Sequence, residues 1–162
     1  MSLAEEYELL RRVPFFAGIE PAKLKLLAFM SERVGFDAGK ILFHQGDGAD
    51  AAYLIIEGEA AIIVNSPSGP ITLATLGAND IVGEMAILCD VPRTATVQAK
   101  GRLVALRIAK DPFMRMVREF PNMAVSIMRE LAHRLELNNN QLRTALSELQ
   151  RLRENSAAAP AE

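Results

Sequence analysis

The most informative part of the chain is the stretch from residue 83 to residue 97, which reads Gly83-Glu84-Met85-Ala86-Ile87-Leu88-Cys89-Asp90-Val91-Pro92-Arg93-Thr94-Ala95-Thr96-Val97. It predicts a small-residue turn that opens one short helical turn, followed by a lone arginine that leads into a β-strand. Glycine has no Cβ, so the backbone at Gly83 can approach another group closely. The N–H groups that open a helical turn have no partner within it and favour a negative charge. The stretch therefore predicts an anion-binding corner.

Two charged side chains complete this predicted corner. Arg93 carries a forked, permanently charged set of donors that suits phosphate oxygens. Glu84 cannot usefully face a phosphate, so its carboxylate is better placed to accept a hydrogen bond from a sugar hydroxyl. A simpler interpretation is also open, in which Glu84 favours the start of the helical turn and Arg93 pairs with it on the surface.

From about residue 33 to residue 107 the sequence is typical of an all-β domain. Short runs rich in β-branched residues are separated by turns at the spacing of a sandwich or barrel. Each turn contains glycine, which supplies the positive φ that a tight corner requires. The predicted strands are 41–44, 52–56, 60–65, 71–75, 94–99 and 103–108, and the turn glycines are Gly39, Gly46, Gly48, Gly58, Gly69 and Gly77.

Helical patterns flank the β region on both sides. Before it, residues 4–12 and a short segment that opens at Pro21 place apolar side chains on one helical face. After it, Asp111 and Pro112 predict the cap and first turn of a short helix. The predicted fold class is mainly β with flanking helices: a small double-stranded β-helix (jelly-roll) barrel plus a long C-terminal helix.

The long helix is predicted to begin at Pro121 and to reach about Arg153, and it carries an apolar seam. The seam positions alternate four and three residues apart over about four heptads, which favours a two-stranded coiled coil between two copies of the chain. The alternative is one helix lying on the barrel, but one small barrel is too short to cover the whole seam. The seam consists of Ala124, Met128, Leu131, Leu135, Asn138, Leu142, Ala145, Leu149 and Leu152.

These patterns divide the chain into three predicted parts. Residues 1–120 form the barrel domain with its N-terminal helices and short helix, residues 121–154 form the dimerisation helix, and residues 155–162 form a disordered tail. With 162 residues, 50% of them hydrophobic, the chain is long enough to bury a core.

Composition and spacing argue against several functional classes. A net charge of -2 gives no general attraction to DNA or to a membrane, and no apolar run approaches the roughly 20 residues that span a bilayer. Cys89 is the only cysteine, so no intrachain disulfide can form, and a cytoplasmic location is expected. His44 and His133 have no carboxylate or thiol partner at metal-ligand spacing. Neither a metal site nor a catalytic constellation is predicted, so the chain is not expected to be an enzyme.

The segments Gly83-Glu84-Met85-Ala86 and Pro92-Arg93-Thr94-Ala95-Thr96-Val97 resemble the phosphate-binding cassette of cyclic nucleotide-binding domains. Such domains occur in catabolite-activator-type transcription factors, cyclic-nucleotide-gated channels and cyclic-nucleotide-dependent kinases. The resemblance extends from Phe15-Phe16 through the long helix. It implies a regulatory domain whose ligand is a cyclic nucleotide, cyclic AMP or cyclic GMP, with no metal.

The resemblance also implies roles for individual residues. Glu84 would accept from the ribose 2′-hydroxyl, and Arg93 would bind the phosphate. Thr94 permits cyclic GMP without requiring it, so the base stays open, with cyclic AMP favoured. The phosphate-binding set that the resemblance implies is Gly83, Glu84, Met85, Ala86, Arg93 and Thr94.

The base would be contacted from the long helix. Asn138 and Asn139 fall where catabolite-activator proteins place two successive polar residues against the adenine, one from each subunit. An asparagine amide can both donate and accept, which suits the adenine edge. Asn138 also has a second, compatible interpretation as a buried polar residue that sets coiled-coil register. Arg134 is a further candidate that could stack on the base, with a solvated helix charge as the alternative.

The sequence therefore predicts a cyclic nucleotide-sensing module that forms a homodimer through its C-terminal helix and signals to a separate or missing effector, such as a partner protein. No helix-turn-helix follows the long helix, so direct contact with nucleic acid is not expected from these residues, and neither is contact with a membrane. The alternative is a structural dimerisation module whose pocket is non-functional or binds another small anion.

Overall fold

The fold is built on eight antiparallel strands, and the computed structural model describes residues 2–158. The strands are β1 (Glu32–Phe36), β2 (Ile41–Phe43), β3 (Ala51–Glu57), β4 (Ala60–Ser66), β5 (Gly69–Leu76), β6 (Ile81–Val82), β7 (Thr96–Ala99) and β8 (Leu103–Ala109). They form two four-stranded sheets with the orders β1-β8-β3-β6 and β2-β7-β4-β5. The predicted fold class is confirmed.

Five α-helices accompany the sheets in residues 2–158. They are α1 (Leu3–Arg11), α2 (Pro21–Phe29), α3 (Glu84–Cys89), α4 (Lys110–Glu119) and α5 (Pro121–Ala158), with a 3-10 turn at Pro14–Phe16. Helix α1 begins at Leu3 because Ser2 and Glu5 form a reciprocal capping box that satisfies N–H groups at its start. Helix α2 begins with Pro21, whose fixed φ suits the first helical position. The chain divides into two compact units between Ser126 and Ile127.

The core of the first unit lies in the β-roll. Strands β3 and β8 supply most of it, since five successive residues of β3 are buried and the buried positions of β8 nearly alternate. Burying each large aliphatic side chain contributes about 1.5–3 kcal/mol. This packing fixes the start of β3, to which the candidate site is attached. The main cluster is Ala51, Tyr53, Ile55, Ala60, Val82, Val97, Ala99, Leu103 and Ala105.

All six predicted strands are present, with ends shifted by at most two residues. Strands β1 and β6 were not predicted. Strand β1 has no fully buried residue and contains Gly35, and β6 is only two residues long. Neither segment therefore carries a clear alternation of apolar and polar residues.

Two local predictions are wrong. Asp111 does not cap α4, because the helix begins at Lys110, directly after β8, and its cap residue is Ala109 in an extended conformation. In the turn at residues 76–79, the positive φ falls on Asn79, at 73°, and not on Gly77. Asparagine tolerates the left-handed region better than most residues, and the Gly77 N–H is held by the Asp80 carboxylate at 2.9 Å.

Helix α5 begins at Pro121 as predicted but continues to Ala158, so residues 155–158 are helical and not part of a disordered tail. Two alanines, which have the highest helix propensity, extend it. Residues 159–162, the rest of the predicted tail, lie outside the described residues. None of the helices in residues 2–158 combines the length and apolar character needed to cross a bilayer.

Candidate anion-binding site

The candidate site is centred on Arg93, which lies between α3 and β7. Its main chain is fixed on both sides: the Arg93 N–H donates to the Asp47 carbonyl at 2.8 Å, and the Gly46 N–H donates to the Arg93 carbonyl at 2.8 Å. Strand β7 then begins at Thr96. The side chain is directed into the first unit and is only 1% exposed. A buried charge is costly unless it is paired, so its partners define the site.

The guanidinium of Arg93 contacts groups from three separate segments. Nη1 donates to the carbonyl oxygen of Gly83 at 2.8 Å, and Nη2 donates to the carbonyl oxygen of Ala51 at 2.6 Å. Nη2 also lies 3.4 Å from Oδ1 of Asp50. The guanidinium lies over the Phe43 ring, with Cζ 3.9 Å from the ring centroid. Carbonyl dipoles, one carboxylate and an aromatic face therefore hold the cation in place.

Burial lowers the pKa of Arg93 relative to its ordinary value, and the nearby Asp50 carboxylate opposes that shift. An arginine in a protein nevertheless keeps its proton. The site therefore presents a permanent positive charge in an interior of low dielectric, where its attraction for an anion is stronger than it would be in water.

One donor of this cation has no partner. Nε of Arg93 is buried and makes no hydrogen bond, and it is the one buried side-chain nitrogen or oxygen in residues 2–158 of which this is true. A buried donor left unpaired costs about 1–3 kcal/mol, and more when the group is charged. The oxygen of a bound anion would satisfy this donor and recover that cost.

Gly83 forms the wall against which the guanidinium packs. Its φ of 82° lies in the left-handed region, where side chains other than glycine are strained. A Cβ at this position would also lie 2.5 Å from Nη1 of Arg93 and 3.1 Å from the Phe43 ring. The sequence predicted close backbone approach at Gly83, and the group that approaches within the chain is Arg93 itself.

The other predicted cassette residues lie on either side of this contact. Helix α3 begins at Glu84, which is 4% exposed, and Ala86 on the same helix is also buried. Met85 is exposed, as is Thr94 next to Arg93. The interpretation of Glu84 and Arg93 as a surface pair is wrong, because both side chains are buried in the first unit.

The predicted base-binding residues lie on α5, in the second unit. Asn138 and Asn139 are exposed, and Arg134 is half-buried and lies 3.5 Å from the Glu130 carboxylate, one helical turn away. Their contact with a base stays a prediction, as does the role of Asn138 in coiled-coil register.

Several residues of the site were missed from the sequence. Phe43, Asp50 and the Ala51 carbonyl all contact Arg93, although they precede it by more than 40 residues. Arg107 contacts the second oxygen of Asp50, with Nη2 to Oδ2 at 3.1 Å. A main-chain carbonyl has no sequence signature, and only the fold brings these segments together.

Other reactive side chains form no site of their own. Residues 2–158 contain no group of three or more His, Cys, Asp or Glu side chains arranged to hold a metal ion. Cys89 is the last residue of α3 and is exposed.

Comparisons with known proteins agree with this geometry. Residues 33–120, more than half of the chain, match the family model of the cyclic nucleotide-binding domain. The chain is 31% identical over 136 residues to a CRP-like cAMP-activated global transcriptional regulator of Mycobacterium tuberculosis, covering 83% of this chain and 61% of that protein. It is 35% identical over 109 residues to a cAMP-dependent protein kinase regulatory subunit of Schizosaccharomyces pombe, covering 67% of this chain and 26% of that protein.

A solved structure also resembles this fold. The sensor domain of the transcriptional regulator DNR from Pseudomonas aeruginosa superposes with a TM-score of 0.75 at 25% identity, covering 85% of this chain and 93% of that one. The chain spans less than two thirds of the length of either curated relative. The match to the family model, the relatives and the shared β-roll together show that the chain belongs to the cyclic nucleotide-binding domain family.

Proposed function

We propose that this chain is a sensor that binds cyclic AMP, or less favourably cyclic GMP, with the cyclic phosphate held by Arg93. The observation that carries the proposal is the buried guanidinium whose Nε has no partner in residues 2–158. A phosphate oxygen would accept from that donor in a low-dielectric setting, where a charge-assisted hydrogen bond is strong. The Coulomb attraction of a permanent cation for a phosphodiester adds to it.

The neighbouring cassette residues complete the proposed phosphate and ribose contacts. The left-handed turn at Gly83 leads directly into α3, so the N–H groups of Glu84, Met85 and Ala86 open the helix beside the guanidinium. Thr94 follows Arg93 and is an exposed residue. We assign the ribose 2′-hydroxyl to the Glu84 carboxylate.

The preference for cyclic AMP rests on the base and on the relatives. Both curated relatives compared above are named for cyclic AMP. The amides of Asn138 and Asn139 can donate to and accept from an adenine edge, and Arg134 is a further candidate for stacking. Because Thr94 is compatible with either base, cyclic GMP is the second candidate ligand.

We propose further that two copies of the chain pair through α5. Five of the predicted seam residues are large, apolar and between 44% and 61% exposed in the single chain. A heptad seam of this kind is stabilised when a second helix covers it. The pair would signal to an effector that lies outside these residues, and no direct contact with nucleic acid is proposed. The five residues are Met128, Leu135, Leu142, Leu149 and Leu152.

A second candidate function is a structural dimerisation module whose pocket is non-functional or binds another small anion. The observation that favours it is that the Arg93 guanidinium already contacts Gly83, Ala51 and Asp50 within the chain. In that case the arginine would serve to tie its own segment to residues 50–51 and to Gly83.

Isothermal titration of the purified protein with cyclic AMP, cyclic GMP, AMP and inorganic phosphate separates these functions. The sensor proposal expects binding of cyclic AMP ahead of cyclic GMP, with little binding of the other two. Arg93→Lys keeps the positive charge but replaces the planar, several-donor guanidinium with a single ammonium group. We expect it to weaken cyclic AMP binding roughly 10- to 100-fold, which corresponds to the loss of one hydrogen bond to a charged group. Arg102→Lys is the matched control, since Arg102 pairs with Asp37 at 3.1 Å on the exposed surface.

Two results would support the second candidate. A folded wild-type protein that releases no heat with either cyclic nucleotide would be a structural module. Binding of inorganic phosphate as tightly as cyclic AMP would show a general small-anion site. Thermal unfolding of each variant without ligand checks that the protein is folded before titration.

A further inference from the structure

Asp50 lies between two arginines at the edge of the site. Its Oδ1 is 3.4 Å from Nη2 of Arg93, and its Oδ2 is 3.1 Å from Nη2 of Arg107. The carboxylate is 69% exposed, whereas the Arg107 side chain is only 28% exposed. An exposed carboxylate holds one geometry only if something fixes it, and the residue that contacts its second oxygen is Arg107.

Arg107 is itself held by the fold. It lies on β8 directly opposite Tyr53 of β3, and its Nη2 donates to Oδ2 of Asp50 at 3.1 Å. Partial burial lowers the pKa of Arg107, but the neighbouring Tyr53 and Asp50 side chains raise it above its ordinary value overall. The Tyr53 ring packs on Phe43, with ring centroids 6.1 Å apart, and Phe43 lies under the Arg93 guanidinium. Arg107 is therefore connected to Arg93 through Asp50 and through two rings.

The charges show what Arg107 contributes. The carboxylates of Asp50 and Asp47 both interact electrostatically with Arg93, so each of them reduces the attraction of this guanidinium for an anion. Arg107 occupies Oδ2 of Asp50 and offsets the negative charge of this carboxylate. Without Arg107, Asp50 would be free to pair more closely with Arg93 and compete with an incoming anion for the same guanidinium.

We propose that Arg107 is a positioning residue for phosphate binding: it holds Asp50 away from closer pairing with Arg93 and offsets the negative charge that Asp50 places beside the guanidinium. This inference rests on the proposed function, since its readout is the affinity for cyclic AMP. Arg107 acts through Asp50 and is not assigned a contact with the ligand.

Titration of the full chain with cyclic AMP tests the inference. Arg107→Gln is expected to weaken affinity roughly three- to fivefold, the upper range for a partly exposed charge pair. Arg107→Lys keeps the charge and should recover most of that loss. Arg102→Gln removes the same charge from an exposed pair of equal length and should leave affinity unchanged. If Arg107 acts through Asp50, the effect of Arg107→Gln should largely vanish in an Asp50→Asn background.

Tyr53→Phe is a second variant, which removes the hydroxyl of the residue directly opposite Arg107 without changing any charge. It is expected to weaken affinity about twofold, as loss of a modest hydrogen bond would. If Arg107→Gln does not fold, the cyclic AMP affinity of Tyr53→Phe tests the role of Arg107 instead.

The outcomes separate the two proposals. If the wild type does not bind cyclic AMP, the proposed function fails. If the wild type binds and Arg93→Lys weakens binding, but Arg107→Gln and Tyr53→Phe bind as the wild type does, the role of Arg107 is overturned and the proposed function stands. If Arg107→Gln weakens cyclic AMP binding by the same factor in the Asp50→Asn background as in the wild type, Arg107 does not act through Asp50.

Discussion

Arg93 and Gly83 are in direct contact at the centre of the cassette. Nη1 of Arg93 donates to the Gly83 carbonyl at 2.8 Å, and a Cβ on Gly83 would lie 2.5 Å from that same nitrogen. The left-handed φ of Gly83 also favours glycine. Turn conformation and cation placement therefore require the same residue for two independent reasons.

Gly83→Ala is expected to lower the free energy of unfolding by about 2–4 kcal/mol, because backbone strain and a steric clash add together. Gly39→Ala is the matched control, since Gly39 has nearly the same φ, 83°, and nothing within 4 Å of an added Cβ. It should cost about 1 kcal/mol. Urea unfolding of both variants measures the difference, and equal losses would mean that the contact with Arg93 tolerates the methyl group.

Arg93→Ala is expected to destabilise the protein without any ligand, by about 2–5 kcal/mol. The variant removes the arginine donor from the buried carbonyl of Ala51 and from the part-buried carbonyl of Gly83, which still accepts the first hydrogen bond of α3. An unsatisfied buried acceptor costs about 1–3 kcal/mol, and truncating the buried side chain leaves a cavity that adds to this cost. Arg102→Ala removes an arginine whose ion pair is more than two thirds exposed on both sides, and its effect should stay within about 1 kcal/mol. Should chemical denaturation find Arg93→Ala as stable as the wild type, the arginine would have no structural role.

The stacking of Arg93 on Phe43 predicts an energetic coupling between the two residues. A double-mutant cycle with Phe43→Leu and Arg93→Gln should give about 0.5–2 kcal/mol of coupling in unfolding free energy, the range for a cation over an aromatic face. Phe36 is the control, because it packs edge-on against the same Tyr53 ring at 6.2 Å. A coupling of Phe36 with Arg93 as large as that of Phe43 would argue against a specific stacking interaction.

Dimerisation through α5 predicts a position-dependent effect along the helix. Leu142→Asp places a charge in the middle of the seam and should raise the dimer dissociation constant at least about tenfold, because burying an unpaired carboxylate is costly. Ser147→Asp places the same charge five residues further on, outside the seam positions, and should leave association unchanged. Sedimentation equilibrium measures both. A wild type that stays monomeric at all concentrations, or equal effects of the two variants, would rule out this pairing.

The sequence predicted the parts of the fold that have a periodic signal. Strands β2, β3, β4, β5, β7 and β8 were recognisable because each is a run of β-branched or apolar residues between glycine turns. The short β6 was missed because two residues carry no period. The sequence also did not show that Asn79, and not Gly77, takes the left-handed conformation in the turn at residues 76–79. That choice depends on the hydrogen bond from the Gly77 N–H to the Asp80 carboxylate.

The residues of the candidate site also fall into two groups, those that could be recognised from the sequence and those that could not. Gly83 and Arg93 could be recognised because a glycine before a helical turn and an arginine before a strand offer donors to an anion and resemble the phosphate-binding cassette. Phe43, Asp50 and Arg107 could not, because their relation to Arg93 exists only after β2, β3 and β8 have been brought together in the β-roll.

By itself the sequence determined which groups are present: a permanent cation, a glycine that permits close approach, and a heptad seam on a long helix. These follow from residue type and spacing, which are local properties of the chain. Only the tertiary structure decided that the cation is buried, that carbonyls of Gly83 and Ala51 hold it, and that its Nε is left unpaired. Those features depend on segments more than 40 residues apart meeting at one point, and the packing of the β-roll brings them there.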